Sequence, residues 1–163
     1  MRRSAGRSEY LDLLVKLGTA RVAIELKYKT RRHLHCHGDE VFDLRSQSAQ
    51  DLGRYDFLLD VQRVERFVQE KRADYGFAVL LTNDASYWSP AKRADTVDEM
   101  FRLLQGRVIS GSLSWLSHAS TGTTRGRTSS IELRKQYIAN WLPYSTVSDS
   151  PGGEFRFLTW HVS

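Results

Sequence analysis

Cysteine is nearly absent from this chain. Cys36 stands alone among 163 residues, so no internal disulfide can hold the fold together. Proline is scarce as well, with three, and 40% of residues are hydrophobic, a composition that excludes a disordered, low-complexity chain. No run of about 18 apolar residues occurs, and no charged-then-apolar leader, so neither a membrane span nor a secretory signal is expected. A reducing, cytoplasmic setting follows as the expectation, with no membrane partner. An acidic excess is also missing: 24 Lys and Arg stand against 19 Asp and Glu, a net charge of +5. That balance favours polyanionic partners without the extreme basicity of ribosomal proteins. The length suffices for one domain with a real core. One domain over residues 1–163 is expected, β-rich from about residue 107.

The order of elements reads from periodicity and punctuation. "YLDLLVKL" and "RVAIELKYK" are strand-like runs joined at Leu17-Gly18-Thr19-Ala20, which suits a hairpin. "LHCHGDEVFDL" forms a second hairpin about Gly38-Asp39. From Ser46 to about Lys71 the apolar spacing becomes helical, through Phe57, Val61, Val64 and Val68, with Ser46 or Ser48 as the cap. "FAVLLT" is a continuous apolar run, expected to be a central strand covered on both faces. Ser89-Pro90 opens an expected second helix carrying Val97, Met100, Phe101 and Leu104, which Gly106 ends. "RVISGSLSWL", "IELRKQYIANW" and "FRFLTWHV" read as further strands, parted by the Ser/Thr/Gly-rich stretch 117–130 and by Pro151-Gly152-Gly153.

The first hairpin carries the chemistry. A turn centred on Gly18 and Thr19 pairs positions that sum to 37, so Leu13 faces Ile24 and Val15 faces Val22 on a wholly apolar side. The other side then sets Asp12 opposite Glu25 and Tyr10 opposite Lys27. Two carboxylates side by side repel, with Cβ atoms about 4.5–5.5 Å apart. A cation must compensate: either Lys27, or a bound divalent ion, for which hard oxygen ligands at this spacing suit Mg²⁺.

Asp12, twelve intervening residues, then Glu25-Leu26-Lys27 on a hairpin followed by a helix resembles the PD-(D/E)XK nuclease superfamily, with Leu11 where the name-giving proline stands. "SQSAQDLGRYDFLLD" and "FAVLLTNDASYW" are similar to the helix and central strand of an uncharacterised bacterial branch, and the resemblance covers roughly residues 8–116. It implies an α/β fold of restriction-endonuclease type, a mixed β-sheet flanked by α-helices. It implies that Asp12, Glu25 and the Leu26 carbonyl hold Mg²⁺, or Mn²⁺ in vitro, and that Lys27 orients or activates the attacking water. Glu9 takes the place of a carboxylate that such proteins carry on a preceding helix. Gln50 and Tyr55 stand near a flanking Gln-x-x-x-Tyr pattern, although Asp51 is the residue four before Tyr55. The implied activity is metal-dependent hydrolysis of phosphodiester bonds, with DNA as the expected nucleic-acid partner and a homodimer as one expected assembly. Arg31, Arg32, Arg54 and Tyr55 are the expected nucleic-acid contacts. A protein that keeps the fold and binds nucleic acid or another partner without cutting is the alternative.

Other features have plainer readings. His33, His35 and His37 alternate on one strand face, which metal ligands would do, but a hairpin edge accounts for them and they are taken as structural. Tyr87 and Trp88 are read as core closure before base stacking. Cys36 has no identifiable catalytic partner. Arg125 and Arg127 fit equally a phosphate-touching arm and a solvated loop.

Overall fold

The computed structural model describes residues 10–91, 93 and 95–163. Glu9 lies outside the described residues. The chain forms a mixed α/β structure, the coarse class expected. The first hairpin joins β1 (Leu13–Leu17) to β2 (Ala20–Lys29) in the register deduced from the turn, Leu13 opposite Ile24 and Val15 opposite Val22. Gly18 has φ +61°, the left-handed conformation that a two-residue hairpin turn requires and that glycine adopts without strain. The second hairpin, β3 (His33–His37) and β4 (Glu40–Leu44), pairs only with itself.

The long helix α1 (Gln50–Gln69) then carries the chain back to β5 (Tyr75–Thr82), which pairs parallel to β2 from Val22↔Tyr75 to Lys29↔Thr82. A helix is what a parallel crossover of this kind uses. The Ser46 and Ser48 caps are not made. Thr30 at the end of β2 takes both neighbours: its carbonyl accepts from Gln47 N–H at 2.8 Å and its hydroxyl donates to the Arg45 carbonyl at 2.6 Å. The helix therefore starts after Ala49, whose φ is +71° and whose side chain can cap nothing.

The second expected helix does not form. Among the described residues of this stretch and its approach, the helical structure is limited to single 3₁₀ turns at Ala85–Tyr87 and Glu99–Phe101. Phe101, at the end of the second turn, and Leu103 are fully buried, and between them Arg102 has an extended backbone, so the chain leaves the turn along the core without a helix. Beyond it, β6 (Val108–Leu113) and β7 (Ile131–Ile138) make a separate ribbon, with the short α2 (Thr121–Thr124) between them. Two more strands, β8 (Leu142–Thr146) and β9 (Glu154–Val162), return to the main sheet, whose order is β1-β2-β5-β9-β8. Strand β8 had no alternating signature, because Pro143 interrupts it and its pairing shifts between Pro143 and Ser145.

Helix α1 is the centre of the structure. One side packs on β2 and β5 through Phe57, Val61 and Val64, and the opposite side meets β7. There Glu65 accepts from the N–H groups of Arg134 and Lys135 and from the Tyr137 hydroxyl, at 2.8–3.0 Å. Among the described residues, α1 and the ribbon cover one face of the mixed sheet. Strand β5 is central but not covered on both sides. Its Gly76, Ala78, Leu80 and Thr82 lie under α1, whereas Tyr75 on the other face is 46% exposed and Phe77, Val79 and Leu81 are only half-buried. Strand β2 follows the same division: Ala23, Glu25 and Lys27 lie beneath the helix, and Leu26 and Tyr28 face away from it, both exposed.

Candidate functional site

The site forms where β1 stops short of the end of β2. Regular pairing begins only at Leu13↔Ile24, so Leu26 has no strand partner on that edge. Asp12 fills the place with its side chain, its Oδ2 accepting from Leu26 N–H at 2.8 Å. N–H and C=O of one strand residue point to the same side, so the Leu26 carbonyl faces the edge at which Asp12 sits. One residue away on each side, Glu25 and Lys27 turn under the helix. The Asp12 and Glu25 carboxyls lie within hydrogen-bonding reach of each other. The face shared by Asp12, Glu25 and Lys27 is thus the one deduced from the hairpin register.

Helix α1 adds two residues that the sequence pattern did not single out. Asp60 Oδ2 lies 2.6 Å from Lys27 Nζ, and Arg63 Nη1 lies 2.5 Å from Glu25 Oε1 and 3.1 Å from Asp60 Oδ1. Three carboxyls and two cations make one cluster, open to solvent at Asp12 and closed over Glu25, which is 3% exposed. Burial pushes the Glu25 carboxyl up to about 7, with Asp60 and Asp12 adding to the rise and Arg63 opposing it. Burial also raises Asp60, against the pull of Lys27 and Arg63. The signal for Asp60 was present in the helical period: it falls three after Phe57 and four before Val64, a core-facing position occupied by a carboxylate.

The remaining residues expected at the site are placed elsewhere. Gln50 donates to Asp84 Oδ2 at 2.9 Å at the far end of α1. Tyr55 is buried between Phe101 and Trp115 and donates to the Ser129 carbonyl, so it is a core residue and no nucleic-acid contact. Arg54 is likewise corrected: it is 2% exposed, donating to Asp98 Oδ2 and the Ser86 carbonyl, both at 2.7 Å. Asp98 also pairs with Arg102 at 3.1 Å, so one carboxylate bridges two inward-facing guanidinium groups. The Leu26 side chain lies on the sheet face opposite the helix, and the residue is 50% exposed. Arg31 and Arg32 are exposed, as a phosphate contact would need.

Tyr87 and Trp88 close the core, as their plainer reading held. Arg127 is held by Asp56 through paired contacts of 2.7 and 2.9 Å, which tie its loop to α1. His33, His35 and His37 line an apolar groove of about 380 Å³ with Tyr28, Phe42 and Phe155. Among the described residues no three His, Cys, Asp or Glu side chains are gathered as a metal-ligating group. No described helix is long and apolar enough to cross a membrane. No protein-family model, curated protein or solved structure matches this chain.

Proposed function

We propose that the protein is a metal-dependent nuclease of the PD-(D/E)XK type, hydrolysing phosphodiester bonds in DNA. The observation that carries the reading is the junction at the end of β1, where Asp12, Glu25 and the Leu26 carbonyl meet beside Lys27. The donor set fits Mg²⁺, a hard cation that takes one or two carboxylates and keeps several waters, so a third side-chain ligand is not required. The composition of the cluster supports the same fit: three carboxyls, Asp12, Glu25 and Asp60, stand against the two cations Lys27 and Arg63. When bound, the ion would polarise a phosphoryl oxygen and lower the pKa of a coordinated water.

The chain's own residues supply the rest. Lys27 carries the positive charge next to the site and stabilises charge growing on the phosphate. Asp60 fixes where that ammonium sits, which makes it a positioning residue. Arg63 spans Glu25 and Asp60 and so holds the two carboxyls at a set separation. Arg31 and Arg32 approach flanking phosphates, which orients a duplex without reading its sequence.

The same ion pairs favour a second reading. With Lys27 and Arg63 both engaged by carboxylates, a protein that binds nucleic acid but does not cut it would have this cluster as a structural lock. Incubation with supercoiled plasmid in Mg²⁺, in Mn²⁺ and in EDTA separates the two. Nicked or linear product that needs metal and is lost in Lys27→Ala supports the nuclease. Salt-dependent binding with no cleavage in any metal supports the second reading.

A further inference from the structure

The sheet face turned away from α1 carries an inverted polarity. Side chains on one face of a strand alternate with those on the other, so the face of each strand follows from the registers of β1, β2, β5 and β9. No Asp, Glu, Lys or Arg of these strands, among the described residues, lies on the face away from the helix. β1, β2 and β5 present only apolar or tyrosine side chains there, and β9 adds Thr159 and His161 as its only polar groups. A sheet face left in water ordinarily reads polar. Here Leu13, Leu26, Tyr28 and Tyr75 stand 46–50% exposed, with half-buried Phe77 and Val79 between them.

We infer that this face is the interface of a symmetric homodimer, two copies stacking sheet against sheet. Area is the first argument. From the exposed fractions and ordinary side-chain areas the face offers roughly 800 Å² per copy, which is the share each partner gives to a standard interface of about 1,600 Å². Charge is the second. A two-fold axis sets a surface against itself, so any charge on the patch meets its own kind. The chain carries 24 Lys and Arg and a net charge of +5, yet among the described residues of these four strands none of the cations is on this face. Two cationic copies can close on it without setting the charges of these strands against one another. Residues 1–9 (MRRSAGRSE), with three arginines, have too few apolar side chains to be the cover. Stacked sheets sit about 10 Å apart with their inner side chains interleaved, which buries the exposed tyrosine and leucine rows. The inference does not rest on the nuclease reading, since the Glu25 cluster lies on the opposite face.

Sedimentation equilibrium across about 1–100 µM tests it, since interfaces of this size bind at micromolar strength or tighter. The expected result is a particle of twice the 18.7 kDa chain mass. The pair Leu13→Lys and Tyr75→Lys, each at a position already half in water, is expected to weaken association at least about 100-fold, because each lysine would be buried unpaired. Val108→Lys, on the separate ribbon and 51% exposed, serves as control and leaves association unchanged. Far-UV circular dichroism checks the fold. Should the lysine pair lose the native spectrum, Leu13→Gln with Tyr75→Gln is read in the same way. A wild-type chain that stays monomeric throughout overturns the inference. So does a dimer that survives the substitutions at Leu13 and Tyr75, or one that Val108→Lys disrupts equally.

Discussion

Replacing Glu25 by Gln gives stability and pH opposite dependences from those of an ordinary surface ion pair. Folding moves this carboxyl from 4.5 to about 7, because burial disfavours its charge by more than Arg63 favours it. An acid raised on folding binds more protons in the native than in the unfolded state across that interval, so stability falls as pH rises from about 4.5 to 7 and is flat above it. The whole interval is worth at most about 3 kcal/mol. Glutamine mimics the protonated acid and cannot ionise. In EDTA the variant therefore matches wild type near about pH 5 and exceeds it by up to about 3 kcal/mol near about pH 8, or roughly 5–10 °C in Tm for a chain of this size. Thermal melts of both proteins over that range are the assay. On the proposed metal-binding reading, Mg²⁺ added to wild type is expected to narrow the gap at the higher pH, because it would bind the ionised carboxylate and not the glutamine. Parallel pH curves for the two proteins, or a variant less stable at the higher pH, would show that Glu25 is ionised in a net-favourable pair with Arg63 and refute the reasoning.

Lys27→Ala is expected to abolish plasmid cleavage and also to destabilise the fold by about 3 kcal/mol at neutral pH, since it leaves buried Asp60 with less compensation; the loss shrinks in acid, where Asp60 protonates. Asp12→Asn should keep the bond from Leu26 N–H and relieve repulsion with Glu25, so its metal-free Tm stays level or rises slightly while Mn²⁺ affinity by calorimetry falls. Arg54→Ala should cost about 3–5 kcal/mol in chemical denaturation and leave the salt dependence of DNA binding unchanged, because this arginine serves Asp98 and the Ser86 carbonyl inside the protein.

How far the sequence could be read follows the range of the forces involved. The Gly18 and Gly38 turns, both at positive φ, fix their hairpins locally, and so the register of the first hairpin as far as Leu13↔Ile24, one residue short of Asp12 and Glu25, is legible from the turn residues alone. The start of α1 is not, because Thr30, remote in sequence, ties down the two residues that flank Ser46. The helix expected over Ser89–Gly106 has a good local pattern, but Asp98 and Arg102 are bound into a cluster with Arg54, and between them the chain makes only a single 3₁₀ turn before Arg102 turns extended. Asp60 is legible in principle, as a carboxylate in a core position; its partner Lys27 is not, since nothing local says which helix turn crosses which strand residue. Arg54 and Tyr55 point outward by analogy with a motif, whereas both lie on the buried side of α1.

The least legible feature is the choice of face, and its cause is volume. Apolar alternation on β2 argues for burying Val22, Ile24, Leu26 and Tyr28, yet α1 lies on Ala23, Glu25 and Lys27. A helix approaches closely where side chains are small, and Ala23, Gly76 and Ala78 supply such a floor. A Cβ on Gly76 would overlap Val64 Cγ1, so no larger residue fits under the helix at that point. Seating α1 over Tyr75 and Phe77 would hold it off by the thickness of a ring and leave Phe57, Val61 and Val64 without contacts. Because side chains alternate strictly, the small residues bring Glu25 and Lys27 under the helix with them, and the large apolar residues go to the other side. Burying the charges then requires Asp60 and Arg63 as counter-ions, and exposing the leucines and tyrosines leaves a surface that a second chain can cover. Both the buried cluster and the bare face therefore follow from a single placement of one helix on three small residues.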